Sequence, residues 1–591
     1  MRQSAVVLGV VALCVSLGPA GPAAGEPGDA GAKPAGEPIM KPGLGYRVDT
    51  ERSPSAVLRV GTPRQAGLLP AYLDSAVAAA EAGLAPQPAN GRPFYPGAVI
   101  LAARHGVVAR TAAMGHALRY ADATPTELPA QQWLPMRPDT IFDLASLTKL
   151  FTSLLAVQQV ERGALELDAP VARYLPAFAA NGKGEITVRQ LLIHTSGLPA
   201  WLPLFNEPDN AARYAAVHNV VPRAAPGATY LYSDLNLIAL GEIIELLAGA
   251  PLDAVLRTDI VEPLGLRDTG FNPPESVRPR IAATEYRTGV GVDWGSVHDE
   301  NAASFGGVAG HAGIFSTARD LAVLCQTVLN GGAYGRTRII SRQSTELLLA
   351  NFTPEFPGQD HGLGFELYRY SFMGAMASPH SAGHTGFTGT TLTIDRSTGS
   401  FLLVLTNRVH PSRDWGSINP RRRAVADEVA RAVPVRPVRG RTAWFSGMGH
   451  ARTATLTLPV TTPAAGARLD FALWYDTEPT LDVVALESST DNGQTWTAAP
   501  FRLSAESSTV DTDGTVSGWG GRRWHAATAD LPGGTALLLR WRYQTDTGLQ
   551  GRGAYVDAVR ITAGHHRVLF DDRRPADTAL LHPDGFAPSA D

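Results

Sequence analysis

Lysine is almost missing from this chain: four occur in 591 residues, at Lys33, Lys41, Lys149 and Lys183, and every other basic side chain that is not histidine is arginine. Arginine keeps its proton at any ordinary pH, so chemistry that needs a deprotonatable amine has few places to live. Cysteine is scarcer still, with only Cys14 and Cys325. Cys325 lies in the apolar helical run 320–329 and reads as a buried small hydrophobe, which leaves no internal disulfide framework. Without a cysteine cluster or a His-Glu-x-x-His pattern, no catalytic zinc is expected, and the site-metal and cofactor expectation is none. The formal net charge is only −4, which argues against nucleic acid or an anionic membrane as a partner. After the N-terminus no apolar run is long enough to cross a membrane. The glycine run that begins Gly306-Gly307 lacks a phosphate-binding lysine and reads as a loop.

What is present is globular: 44% of residues are hydrophobic and 18% charged, over a length that implies more than one domain. Arg2, the apolar run 5–17 and the small residues at 20–25 predict a signal peptide, removed on export. The expected organisation is a signal peptide at 1–25, a flexible linker at 26–45, a mixed domain at 46–435, a β-sandwich at 436–571 and a disordered tail at 572–591. In the mixed domain, residues 97–104 and 107–113 read as a strand pair turning at His105-Gly106, and 390–394 and 401–406 as a second pair. Helical runs fill the middle and a helix near 421–432 closes the segment. The fold class is therefore α/β of the α+β type: an antiparallel sheet flanked by helices, with a mostly helical subdomain. After about residue 435 alternating strand patterns take over, as in 453–458 and 536–543, and predict an all-β sandwich.

One segment concentrates chemistry. In Phe142-Asp-Leu-Ala-Ser-Leu-Thr-Lys-Leu-Phe, a helix starting at or just after Ser146 puts Ser146 and Lys149 on one face, a turn apart. The helix N-terminus favours negative charge on the serine oxygen. The lysine can accept the serine proton if burial and nearby charge pull its pKa down. Ser-x-x-Lys alone is a weak pattern, but the scarcity of lysine sharpens it.

Two further segments follow in order: Tyr230-Leu-Tyr-Ser-Asp-Leu-Asn before a helix, and Gly383-His-Thr-Gly-Phe at a strand. Together the three resemble the Ser-x-x-Lys, Tyr-x-Asn and Lys-Thr-Gly motifs of the serine β-lactamase and penicillin-binding protein (DD-peptidase) superfamily, closest to its class C-like branch, which includes esterases. The resemblance spans about 55–430 and extends to the segments around His194, His298 and His311, three histidines expected to have structural hydrogen-bonding roles. It implies that Ser146 forms an acyl-enzyme, that Lys149 and Tyr232 move protons, and that the Ser146 and Phe387 N–H groups form the oxyanion hole. It also implies that Asp234, His384, Thr385 and Gly386 bind substrate. Asp234 stands where β-lactam-active members have Asn, and His384 where they have Lys. A neutral histidine is a poor anchor for a carboxylate, and Asp234 would repel one or pair with Lys149 and keep it protonated. These departures favour ester or amide hydrolysis, of carboxylesterase, D-amino-acid peptidase or DD-carboxypeptidase type, on a small-molecule or peptidoglycan-type substrate, with weak or no β-lactamase activity. The competing reading, a catalytically weak sensor or surface-binding protein, is opposed by the intact Ser146, Lys149 and Tyr232.

The C-terminal region, through segments such as Ser488-Ser-Thr-Asp-Asn-Gly-Gln-Thr-Trp, resembles the jelly-roll module of secreted immune-inhibitor-type peptidases. Such modules often bind surfaces, glycans or calcium, so a cell-surface or glycan contact is a further partner expectation. Trp474, Trp496, Trp519 and Trp541 read as packing residues before a sugar platform. Asp476 and Glu478 read as a solvated turn before calcium ligands.

Overall fold

A computed structural model describes residues 56–591 apart from 125, 507, 565 and 566. The expected signal peptide and linker lie outside the described residues. The elements that position the site are α1 (Pro70–Glu81), β1 (Gly97–Arg104), β2 (Val107–Leu118), α2 (Thr148–Glu161), α3 (Asp234–Ala248), β3 (Ser381–Thr385), β4 (Thr390–Asp395), β5 (Ser400–Thr406) and α4 (Asn419–Arg431). In the sheet, β2, β1, β5, β4 and β3 are successive antiparallel neighbours. The β1–β2 turn works because His105 and Gly106 both take positive φ, 50° and 76°, which matches the strand twist in a two-residue hairpin.

Both faces of this sheet are covered, so its central strands are apolar throughout instead of alternating. Val99, Leu101 and Ala103 of β1 and Phe401, Leu403 and Leu405 of β5 join the large core beneath α2 and α3. The intervening Ala98, Ile100, Ala102, Leu402 and Val404 face α1 and α4. Helix α2 is buried along nearly its whole length, and that is why its apolar residues show no single-faced stripe. Among the described residues no single helix is long and apolar enough to cross a membrane.

The sandwich is built on β6 (Ala443–Phe445), β7 (Thr453–Thr461), β8 (Ala467–Asp476), β9 (Val483–Ser489), β10 (His525–Leu531), β11 (Ala536–Gln544), β12 (Gly553–Ala563), β13 (His582–Asp584) and β14 (Ala587–Ser589). Strands β10, β8, β12, β6 and β14 neighbour one another in one sheet, and β9, β11, β7 and β13 in the other. Alternate residues such as Leu469, Phe471 and Leu473 face Leu539, Trp541 and Tyr543 across the gap. Trp474 and Trp541 are buried, Trp496 is covered by the Arg540 guanidinium at 3.8 Å, and Trp519 lies against His380, so the four rings do not form one platform.

Two expectations are corrected here. The tail after 572 is not disordered: β13 pairs with β7, β14 pairs with β6, and Leu581 and Phe586 fill the sandwich core. Its apolar residues are too few and too spaced to register as a strand pattern, yet each covers a strand edge already in place. Nor does Asp476 sit in a solvated turn. It is fully buried, and its Oδ2 accepts from Arg522 Nε at 2.8 Å.

Arg522 fastens the sandwich to the mixed domain. The same guanidinium pairs with Asp395 at the end of β4 and donates from Nη2 to the carbonyls of Ala375 and Ala377 at 2.9 and 3.0 Å. Burial disfavours this charge, but Asp395 and Asp476 outweigh it and hold the guanidinium firmly protonated. Removing one member of a buried ion network strands the others, so Arg522→Ala is expected to lower unfolding stability by about 3–5 kcal/mol. Urea denaturation followed by tryptophan fluorescence measures it, and a loss under about 1 kcal/mol would show that the network contributes no net stability.

Candidate functional site

The centre of the site is a buried cation. A turn of 3-10 helix over Ala145–Leu147 runs straight into α2, so Ser146 and Lys149 project from one face, as the spacing predicts. Lys149 is only 1% exposed. Its three N–H donors meet Ser146 Oγ at 2.8 Å, Asp234 Oδ1 at 2.8 Å and the His311 carbonyl at 3.1 Å. Three acceptors for three donors is the arrangement of an ammonium, not a free amine. Burial alone would lower the Lys149 pKa, but Asp234 and Tyr232 overturn that and hold it above the ordinary lysine value. The expectation of a lysine with a depressed pKa is therefore corrected: the carboxylate and phenol beside it together outweigh its desolvation. Pairing of Asp234 with Lys149, the other consequence read from that substitution, is what the side chains do.

Ser146 is held at a strained entry. Ala145 adopts φ 46°, unusual for a residue with a side chain, and is pinned there by its N–H donating to Asp143 Oδ1 at 2.9 Å. The other oxygen of buried Asp143 accepts the His298 N–H at 2.7 Å. Ser146 itself is half-buried and reachable from solvent.

Tyr232 comes from the segment leading into α3, and the loop 194–200 clamps it. Ser233 N–H donates to His194 Nδ1 at 3.1 Å, Ser233 Oγ to the Pro199 carbonyl at 2.6 Å, and Asp234 N–H to the Ala200 carbonyl at 2.9 Å. The His194 ring packs on the Tyr232 ring at 4.5 Å, and the Lys149 ammonium lies 4.9 Å from the centre of the phenol ring. The Tyr232 hydroxyl engages Lys149 and Ser146; burial, reinforced by Asp234, pushes it up to about 12 in spite of Lys149. Because His194 Nδ1 accepts two hydrogen bonds, the second from Asn236 at 3.1 Å, the ring is neutral, and burial keeps its pKa well below the usual value.

The third segment sits where β3 ends. The Gly386 carbonyl accepts from the Gly389 N–H at 2.9 Å and from Arg422 at 3.2 Å, which fixes the plane of the Gly386–Phe387 peptide. Thr390 Oγ1 and Thr388 Oγ1 donate to the carbonyls of Leu144 and Asp143 at 2.9 and 2.7 Å, tying this turn to the residues just before Ser146. Only glycine fits at 386, since a Cβ would lie 2.1 Å from Thr390 Oγ1 and 2.3 Å from the Leu144 carbonyl. The Phe387 ring is stacked between the His298 imidazole and the Arg408 guanidinium. Thr385 is half-buried at the strand end. His384 is buried with Nδ1 on the Thr385 carbonyl at 2.7 Å, and burial lowers its pKa to about 3 even though Glu366 is 3.8 Å away. It supplies no positive charge.

Asp299 belongs to the site although no motif in the sequence marks it. His311 Nε2 bonds Asp299 Oδ1 at 2.8 Å while the His311 carbonyl receives Lys149, so this pair forms one wall of the cluster. Its only sequence signal is an Asp positioned to cap the short helix Glu300–Ser304. His298 also has a structural role, bonding Glu285 at 2.9 Å. Asp234, Asp299 and His311 bring ligand atoms within 4.8 Å of one another, but Asp234 is paired with Lys149 and Asp299 is hydrogen-bonded to His311 Nε2. Cys325 is fully buried, with its thiol pKa raised by burial, and stands apart from these groups.

Residues 87–427 match the family model described as Beta-lactamase, and residues 417–589 that described as Immune inhibitor A-like, MAM domain. A putative D-alanyl-D-alanine carboxypeptidase of Salmonella typhi is 33% identical over 362 residues, 55% of this chain and 82% of that protein. Among solved structures, a penicillin-binding protein homolog from Caulobacter crescentus is 24% identical with a TM-score of 0.48, over 62% of this chain and 99% of that one. EstCE1, a hydrolase with promiscuous acyltransferase activity, is 22% identical with a TM-score of 0.48, over 61% and 99%.

Replacing Asp234 by Asn removes the charge that favours ammonium at Lys149, so the amine should lose its proton at lower pH. With four lysines in the chain, nuclear magnetic resonance of protein labelled at lysine Nζ can follow this one group. A Lys149 titration unmoved in Asp234→Asn would assign its charge to another neighbour.

Proposed function

Since the chain belongs to the Beta-lactamase family of serine hydrolases, we propose that it cleaves an ester or amide through an acyl-enzyme on Ser146. The observation that carries this reading is the convergence of the Ser146 hydroxyl, the Lys149 ammonium and the Tyr232 phenol in one buried cluster. Tyr232 acts in its phenolate form, its own proton lost beforehand to solvent and the anion stabilised by the Lys149 ammonium, and Ser146 Oγ attacks the carbonyl carbon as its proton passes to that phenolate. Lys149 lowers the cost of negative charge on Oγ and on the phenol oxygen. Collapse of the tetrahedral intermediate returns the proton through Tyr232 to the leaving group, and water then enters by the reverse relay. The N–H groups of Ser146 and Phe387 receive the oxyanion. Among the described residues the Phe387 N–H has no protein acceptor, and its peptide plane is fixed in advance, the condition for stabilising charge without reorganisation.

The relative's name supports an amide or ester of D-alanine type as substrate. The neutral His384 and the acidic Asp234 weigh against tight grip on a free carboxylate beside the scissile bond, and so against efficient β-lactam turnover. In our reading Thr385 and Gly386 line the substrate strand, and His384 acts from behind it.

A short-chain nitrophenyl ester, a D-alanyl-D-alanine peptide and a chromogenic cephalosporin should separate these substrates. Ester or peptide turnover is expected to exceed cephalosporin turnover and to fall by at least on the order of 10³-fold in Ser146→Ala. Equal turnover by both proteins would reject Ser146 as nucleophile. We propose further that the protein is exported behind residues 1–25. N-terminal sequencing of protein recovered outside the cytoplasm is expected to begin just after the small-residue stretch 20–25, and recovery only of the intact Met1 chain inside the cell would reject export.

A further inference from the structure

The two N–H groups proposed to receive the oxyanion come from distant segments, one just before α2 and one just after β3, and His298 touches the supports of both. It is buried, in the stretch that leads into the helix Glu300–Ser304. Its main chain serves Ser146. The His298 N–H donates to Asp143 Oδ2 at 2.7 Å, and the other oxygen of that carboxylate holds the Ala145 N–H, one residue before the nucleophile. Its side chain serves Phe387. The imidazole stacks on the Phe387 ring, with centroids 5.7 Å apart and planes 21° from parallel. The Arg408 guanidinium also lies over that ring, at 4.6 Å, and its Nε donates to the Phe387 carbonyl at 2.8 Å.

The imidazole is itself held in place. Its Nε2 donates to Glu285 Oε2 at 2.9 Å, and Arg413 brings its main-chain N–H and its Nε to the same carboxylate at 2.9 and 2.6 Å. Burial disfavours the Glu285 charge, but the bonds from His298 and Arg413 override it and pull its pKa down to about 2. Near neutral pH the acceptor is therefore an anion, and its charge-assisted bond fixes both the tautomer and the orientation of the ring. We propose that His298 is a positioning residue for the oxyanion hole, a strut that sets the gap between the Ser146 and Phe387 N–H groups, with Glu285 and Arg413 locking its ring. The inference rests on the acyl-enzyme reading above. An oxyanion is stabilised fully only when both donors lie about 2.7–3.1 Å from it at once. A shift of one peptide relative to the other thus weakens the transition state and leaves ground-state contacts nearly intact.

The test compares 4-nitrophenyl acetate with its thiono analogue, in which sulfur replaces the carbonyl oxygen. Sulfur accepts hydrogen bonds poorly, so the thiono ester draws little on the two donors and reports the rest of the machinery. In His298→Ala, kcat/KM for the oxygen ester is expected to fall on the order of 10²-fold, through kcat, with KM changed less than about threefold. The thiono ester should fall much less, so the oxygen-to-sulfur rate ratio collapses. His298→Phe keeps a ring to stack on Phe387 and should hold the ratio between those of wild type and His298→Ala. Arg413→Gln, at a side chain that reaches solvent, loosens the lock on the imidazole and should lower the ratio in the same direction. Circular dichroism and burst titration give the folded, active fraction of each variant. A wild-type ratio in folded His298→Ala, or in Arg413→Gln where His298→Ala does not fold, would overturn the inference, because a structural defect alone slows both esters alike. Wild-type protein that turns over neither ester, or Ser146→Ala that turns over both at the wild-type rate, would instead defeat the acyl-enzyme reading beneath it.

Discussion

A buried ammonium is the constraint around which the mixed domain is organised. Lys149 at 1% exposure has given up its water, and every one of its protons must find an acceptor in the protein. Those acceptors come from three distant stretches of chain: Ser146 on its own helix, Asp234 at the head of α3, and the His311 carbonyl in the glycine-rich loop. Helix–helix packing and loop geometry are therefore tied to one point charge. Thr152 of α2 donates to the Gly310 carbonyl at 2.7 Å, and a Cβ at Gly310 would sit 2.0 Å from the Leu237 carbonyl of α3, so the loop is wedged between the helices with no slack. Displacing any of these elements would leave the charge unpaired.

The sheet supplies the second half of the site through a similar economy of hydrogen bonds. The turn after β3 is fastened to the residues before Ser146 by the hydroxyls of Thr388 and Thr390, not by extension of the ladder. Its peptide plane is set by Gly389 and Arg422, outside the cluster. Nucleophile and proposed oxyanion donors are thus positioned by groups that need not touch a substrate, the condition for a preorganised site. The histidines nearby act in the same way: His194 and His384 are neutral, packed against or near Tyr232, and shape the cluster without adding charge.

The sandwich is fixed to this framework, not tethered loosely. Arg522 reaches from it to the end of β4, which lies between the central strand β5 and the strand that carries His384 and Thr385. The C-terminal tail joins in as well, with Tyr72 of α1 donating to the Asp591 side chain at 2.7 Å. Orientation of the module relative to Ser146 is in this way a property of buried polar contacts.

Much of this was legible in the chain itself. The i, i+3 spacing of Ser146 and Lys149, the turn residues His105-Gly106 and the change from helical to alternating patterns are local signals, and local geometry obeys them. The order of three short motifs identified the family, because their residue types are dictated by chemistry. What tertiary structure alone decided were the electrostatics: burial by itself predicts a lysine ready to lose its proton, and the approach of Asp234 to 2.8 Å, together with Tyr232, reverses that sign. The same holds for the tail, whose few apolar residues become ordered by edges that other strands provide, and for Asp299 and Arg522. Charge, burial and pairing depend on which distant residues meet, and no local pattern encodes that meeting.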